Sequence, residues 1–230
     1  MERLHDMNTV LFDMDGTLLD TLDDLTASVN FALGRAGLPL VTRAQTAQAA
    51  GYASVVLMDR LSGHAFSTES AEFKRMWTDF LEHYNAHHSD NTKPYAGIME
   101  LLEQLAQRGY RMGVVSNKIH RDTDELREQW FGDSIKLAIG VTDALPKKPA
   151  PDMVFAALEA LGAQASEAVY VGDSEPDVQI AKNAGCTGVA VTWGFRTREV
   201  LEEQGPDYII DAPQELLDVL DALEQERGGR

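Results

Sequence analysis

From residue 89 onward, short apolar runs alternate with amphipathic stretches about ten residues long, and that alternation restricts the chain to few folds. The runs at 111–115, 137–141, 168–171, 187–191 and 208–210 read as strands, and so does an isolated run at 9–12. Helical patterns fill the gaps at 99–108, 120–130, 152–161, 176–184 and 197–204, and another starts at Pro213. Strands that are apolar throughout are buried on both faces, and strands joined by helices lie parallel. The expectation is an α/β fold: a parallel sheet with helices on both faces.

Residues 21–88 interrupt this pattern with helices alone. Over 21–36, Leu22, Leu25, Val29, Ala32, Leu33 and Ala36 share one face, and Gly37 stops the helix. Two shorter helices, 42–50 and 54–61, flank Gly51. The strongest pattern is 67–87, where Phe73, Met76, Trp77, Phe80, Leu81 and Tyr84 recur at spacings of three and four. This stretch reads as a helical subdomain with its own small core.

Composition narrows the function. The net charge of -17 repels nucleic-acid phosphates, so no nucleic-acid partner is expected, and any anionic substrate needs local cations. No run approaches the ~20 apolar residues of a membrane helix, and residues 1–8 do not read as a secretory leader. Cys186 is the only cysteine, reads as a small buried residue, and fits a reducing, cytoplasmic setting.

In an open parallel sheet, ligands bind beyond the carboxyl ends of the strands. Just past those ends stand Asp13 and Asp15, then Ser116 and Asn117, then Asp173 and Asp177, with Lys148 in the loop after a fourth strand. Asp13-Met14-Asp15 sets two carboxylates two residues apart, and Gly16 permits a sharp turn directly after them. Such a pair persists where a cation holds it or one member keeps a proton. One Asp suits a nucleophile, and the other an acid and then a base. Asp173 adds an oxygen ligand suited to Mg2+. Lys148 offers positive charge to a transferring phosphoryl group, while Ser116 and Asn117 offer hydrogen bonds. Asp177, next to Pro176, serves either the metal site or the start of a helix. Thr17, Arg43, Tyr52 and Arg196 are candidates for substrate contact. His83, His87 and His88 include an i, i+4 pair, but Phe80 and Tyr84 define that helix's buried face, so the histidines are expected to be mostly exposed.

In this order the motifs resemble the haloacid dehalogenase superfamily of phosphohydrolases. Asp13-Met14-Asp15-Gly16-Thr17-Leu18-Leu19-Asp20 resembles its first motif and Ser116-Asn117-Lys118 its second. Lys147-Lys148-Pro149-Ala150-Pro151-Asp152 resembles the third, and Gly172-Asp173-Ser174-Glu175-Pro176-Asp177 the fourth. The resemblance implies a Rossmann-like parallel sheet core, residues 1–20 and 89–230, with an inserted all-helical cap domain, residues 21–88. It implies Asp13 as nucleophile and Asp15 as acid/base. Mg2+ would be held by Asp13, the Asp15 carbonyl and Asp173, with Asp177 in support. Ser116 and Lys148 would grip the phosphoryl group.

Within the superfamily the chain is most similar to the phosphoglycolate phosphatase-like group, though Gly51-Tyr52-Ala53 stands where that group commonly has Gly-Asn-Gly. The implied activity is phosphatase action on a small phosphorylated metabolite through an aspartyl-phosphate, by a monomer or homodimer. A sugar-phosphate mutase, or a pyrophosphatase or nucleotidase, would use the same core. A non-catalytic phospho-acceptor fits less well, because its phosphorylated Asp would end a middle strand, whereas the key pair here follows the first, and it needs no helical lid.

Overall fold

A computed structural model describes residues 7–228. The chain opens with β1 (Thr9–Phe12) and β2 (Leu19–Asp20). It then passes through α1 (Leu22–Arg35), α2 (Arg43–Ala49), α3 (Ser54–Leu61) and α4 (Ala71–His87), and returns by β3 (Lys93–Pro94). There follow α5 (Ile98–Gln107), β4 (Arg111–Ile119), α6 (His120–Phe131), β5 (Leu137–Val141), α7 (Asp152–Leu161), β6 (Ala168–Gly172), α8 (Glu175–Ala184), β7 (Thr187–Val191), α9 (Arg198–Gln204), β8 (Tyr208–Ile210) and α10 (Glu215–Gly228). Of the stretch 1–8 considered above as a leader, residues 1–6 lie outside the described residues. Among the described residues, no helix is long and apolar enough to cross a membrane.

Six strands form one parallel sheet in the order β5-β4-β1-β6-β7-β8, with β1 between β4 and β6. Because side chains alternate across a strand, Val10 and Phe12 enter one layer and Leu11 the other. Val169 and Val171 likewise oppose Tyr170. On the first face Val10 and Phe12 meet Leu101 and Leu105 of α5, Leu126 of α6 and Leu216 of α10. On the second, Leu11 and Tyr170 meet Met153 and Val154 of α7 and Ile180 of α8. Each such side chain, when fully buried, contributes about 1.5–3 kcal/mol. This double cover keeps the sheet dry and brings its carboxyl edge to the surface as one row.

Two features differ from expectation. β4 runs on through Ser116, Asn117 and Lys118 to Ile119, and its pairing with β5 shifts register between Val115 and Ile119. These polar residues therefore occupy an irregular strand end, where a bulge changes side-chain direction. The second is a ribbon, β2 against β3, pairing Leu19 with Pro94 and Asp20 with Lys93. Strands of two residues carry no periodicity to read.

The helices of residues 21–88 pack around a cluster of their own. It joins Val29 and Leu33 of α1, Leu57 and Met58 of α3, and Phe73, Met76, Phe80 and Tyr84 of α4. Ser70 accepts a hydrogen bond from the Phe73 N–H (3.1 Å) and caps α4, which begins at Ala71 rather than at 67 as the sequence pattern suggested. Asp24, 2% exposed, ties this unit to the returning chain. Its carboxylate accepts from the Asn91 and Thr92 backbone N–H groups, the Asn91 amide and the Thr92 hydroxyl, at 2.8–3.0 Å.

Candidate active site

Asp13 directly follows β1, 3% exposed, with its Oδ1 accepting from the Met14 N–H at 2.7 Å. Gly16 turns the chain at φ 85°, and a Cβ there would collide with the Asp173 carboxylate. Only a residue without a side chain lets the first loop approach the end of β6 so closely. Asp13, Asp173 and Asp177 each present a carboxylate oxygen within 4.8 Å of the others. Thr17 donates its hydroxyl to Asp173 (3.1 Å), and the Phe195 N–H donates to the other oxygen (2.7 Å).

Lys148 lies beneath this cluster with its side chain fully buried. Its ammonium is 2.9 Å from Asp13 and 2.7 Å from Asp177, and it donates to the Tyr170 hydroxyl at 2.9 Å. Burial alone would lower its pKa, but Asp13 and Asp177 outweigh that and hold it protonated. Burial raises the Asp13 pKa to about 6; Asp177 pushes in the same direction and Lys148 opposes. Asp173 is pushed well above the usual carboxylate range by burial, then by Asp177 and Asp13.

These residues fit a divalent cation. Three buried carboxylates are gathered around one ammonium, and the raised pKa values of Asp13 and Asp173 express the crowding of negative charge that a divalent cation would relieve. Hard oxygen donors of this kind suit Mg2+. Among the described residues, the Asp15 carbonyl accepts no backbone hydrogen bond, so it too is available as a ligand. Asp177 is committed elsewhere. One oxygen holds Lys148, and the other accepts from the Ser174 N–H (3.0 Å) and hydroxyl (2.5 Å) in a capping box that opens α8. Of the two roles considered for Asp177, the start of the helix is the one its hydrogen bonds fill.

Above Asp13 a cavity is bounded by Asp13, Asp15, Ser116 and Asn117 on the sheet side and by Leu25, Leu57, Phe80 and Tyr84 from the helical unit. Asn117 bridges the two sides. Its amide donates to the Gly51 carbonyl (3.1 Å), and its oxygen accepts from the Lys148 N–H (2.9 Å). Gly51, at φ 90°, would bring any Cβ to 3.0 Å from Ser174, so the α2–α3 loop approaches the sheet closely only because this residue is Gly. Tyr52 lines the cavity, with the Arg60 guanidinium 4.0 Å above its ring.

Three of the residues considered for substrate contact are placed otherwise. Arg43 is exposed, does not line the cavity, and pairs with Asp20 (3.0 Å) and Asp23 (2.7 Å). Arg196 is 7% exposed and spends its donors on Glu175 (2.6 Å) and the carbonyls of Ala47 (2.6 Å) and Ala50 (2.8 Å). It straps the helical unit to the core. Thr17 is fully buried and bonded to Asp173, not open to the cavity. Of the histidines, His83 is half-buried, bonded to Ser28 (2.9 Å) and packed on Phe31, while His87 is exposed and pairs with Asp90.

The sequence reading left Lys118, Tyr84 and Asp122 without roles. Lys118 Nζ donates to both oxygens of Asp15 (2.9 and 3.0 Å) and to the Tyr84 hydroxyl (2.6 Å). A core lysine thus holds Asp15 and a helical-unit tyrosine at once. Its place directly after Ser116-Asn117 was the available signal; Tyr84 looked like plain core. Asp122 is 2% exposed, lines the cavity and accepts from Arg121 (2.9 Å).

Residues 10–191 match the family model of haloacid dehalogenase-like hydrolases. A phosphoglycolate phosphatase of Vibrio parahaemolyticus is 32% identical, over 94% of this chain and 96% of its own. The N-acetylmuramic acid 6-phosphate phosphatase of Pseudomonas aeruginosa is 30% identical, over 96% and 97%. A crystal structure of a protein from Lactobacillus delbrueckii subsp. bulgaricus superposes with a TM-score of 0.88 at 32% identity, covering 93% of this chain and 98% of that one.

Proposed function

The chain belongs to the haloacid dehalogenase-like hydrolases, and from that membership and the site geometry we propose a Mg2+-dependent phosphatase that hydrolyses a small phosphate monoester through an aspartyl-phosphate on Asp13. Relatives that cover nearly the whole chain act on phosphate monoesters. The observation that carries the reading is the buried Asp13 at the cavity floor, held by Lys148 and flanked by Asp173.

An Asp13 oxygen attacks phosphorus, forming an O–P bond as the bond to the leaving oxygen breaks. Asp15 gives that oxygen a proton, then takes one from the water that cleaves the aspartyl-phosphate and releases inorganic phosphate. Ser116 and Asn117 stand on the cavity wall beside Asp13, where they can donate to phosphoryl oxygens. Lys148 neutralises Asp13 and fixes its orientation. Mg2+, held by Asp13, Asp173 and the Asp15 carbonyl, would offset the repulsion between these acids and the phosphate. The helical unit acts as a cap that closes over the leaving group and excludes water.

Pre-steady-state kinetics test the division of labour. Asp13→Asn should abolish the nitrophenol burst from nitrophenyl phosphate. Asp15→Asn should largely keep that burst, since nitrophenolate needs little acid help, yet lose ~10²–10⁴-fold on an alkyl phosphate and stall at hydrolysis of the intermediate. If Asp15→Asn suppresses the burst as severely as Asp13→Asn, the acid/base assignment is wrong.

A further inference from the structure

Nucleophilic attack at phosphorus expels the leaving oxygen on the side away from Asp13, so the alcohol half of the substrate must lie toward the cap. The wall there is mostly apolar and aromatic: Leu25, Leu57, Phe80, Leu81 and Tyr84 from the cap and Ile119 from the core, with Tyr52 and Ser54 as its uncharged polar members. Phe80 and Tyr84 stack with ring centroids 5.7 Å apart. Lys118 is the single cation in the wall among the described residues, and both oxygens of Asp15 already occupy it. Arg43 and Arg196, the arginines that could have received a second anion, are bound to other partners. On the same side Asp122 contributes a carboxylate, 2% exposed, whose Oδ1 is paired with the Arg121 guanidinium at 2.9 Å, so that Arg121 too is already engaged.

A carboxylate on the leaving alcohol would therefore be buried against hydrocarbon, with no free cation to receive it and Asp122 nearby. Burying a charge without a partner is costly, and like charges brought together add to the penalty. An uncharged apolar alcohol loses nothing by the same transfer and gains area burial and ring contact. We infer that the substrate is a phosphate monoester whose alcohol is uncharged and largely apolar, ring-bearing or branched, and that Asp122 discriminates against carboxylate-bearing esters such as phosphoglycolate. The inference rests on the phosphatase reading above. It departs from the activity of the phosphoglycolate phosphatases among the relatives, with Tyr52 in the cavity wall marking the same divergence.

The test compares kcat/KM for benzyl phosphate and phosphoglycolate with Mg2+ present. Both release a primary alkoxide, so the comparison isolates the alcohol's surroundings from leaving-group chemistry. Benzyl phosphate should be favoured at least tenfold, and Asp122→Asn should shrink that ratio at least fivefold by raising turnover of phosphoglycolate. Equal or better turnover of phosphoglycolate by the wild-type enzyme overturns the inference, as does an unchanged ratio in folded Asp122→Asn. If the variant does not fold, the wild-type ratio alone decides. Acetyl phosphate, whose leaving group barely enters the cap, separates the two levels. Turnover of acetyl phosphate with the wrong ester preference sinks only the substrate class. No turnover of any of the three sinks the phosphatase reading and this inference together.

Discussion

Asp24→Ala should destabilise the protein by about 3–4 kcal/mol. Its carboxylate collects donors from Asn91 and Thr92, the residues on which the chain returns from the cap. Asn91 is exposed, so water replaces its lost bonds and they count for little. Thr92 is 4% exposed, so its N–H and hydroxyl are left buried without a partner, at about 1.5–2 kcal/mol each. Asp24 also lies in the first turn of α1, where a negative charge is favourable. For a chain of this size the loss corresponds to a fall in Tm of about 6–16 °C. Asp24→Asn keeps one acceptor oxygen and should fall between. Burial by itself would raise the Asp24 pKa, but the hydrogen bonds from Asn91 and Thr92 outweigh it and the net shift is downward. A folded-state pKa below the unfolded value gives stability that is present above ~4 and lost as the pH falls through the folded value. Thermal melts of wild type and Asp24→Ala should therefore differ fully at pH 7 and converge below pH ~4. A Tm within 2 °C of wild type at pH 7, or a gap that persists undiminished to pH 3, would refute the reasoning.

Chelator should remove turnover and Mg2+ restore it, while Ca2+ should inhibit because it tolerates the wrong coordination number; full turnover in excess chelator would exclude the metal. Lys148→Met leaves Asp13 and Asp177 facing each other uncompensated, which should cost about 3–5 kcal/mol in urea titrations without metal. The same variant should lose ~10²-fold or more in kcat, and Mg2+ should raise its Tm more than that of wild type. Tyr84→Phe removes a hydrogen bond to a buried ammonium, worth about 1.5–3 kcal/mol, between cap and core. A double-mutant cycle of Tyr84→Phe with Lys118→Met should show a coupling above ~0.5 kcal/mol, and additive effects would dissolve this latch.

The order of strands and helices was legible because its cause is local: Val10, Leu11 and Phe12 are all apolar since both faces of β1 are covered. Asp13, Asp173, Ser116 and Lys148 could be grouped because strand ends in a parallel sheet share one edge. What depended on distant partners could not be read. Arg196 and Ser116 both follow apolar runs, but only the three-dimensional path shows the first spending its guanidinium on Glu175 and two carbonyls while the second faces the cavity. The burial of Asp24 could not be read, because the Asn91 and Thr92 donors that explain it lie far along the chain. Lys118 stood in a quoted motif, yet its bond to Tyr84 crosses between two units whose approach no periodicity encodes.

The β2–β3 ribbon bears on how such a chain can diversify. Entry to the cap at Asp20 and exit at Lys93 are paired neighbours, so the two ends of the intervening segment lie side by side in the fold. Closing a loop on fixed ends costs only about 0.6 kcal/mol more for each doubling of its length. Changes of segment length beyond that ribbon thus carry little loop-closure penalty and move no strand of the sheet, provided the ties of the helical unit through Asp24, Tyr84 and Gly51 are kept. Selection on substrate can then act largely within one stretch of sequence, and grafting a relative's segment between Asp20 and Lys93 should shift preference to the extent that the cap wall, rather than Asp122 and Ile119 of the core, sets it.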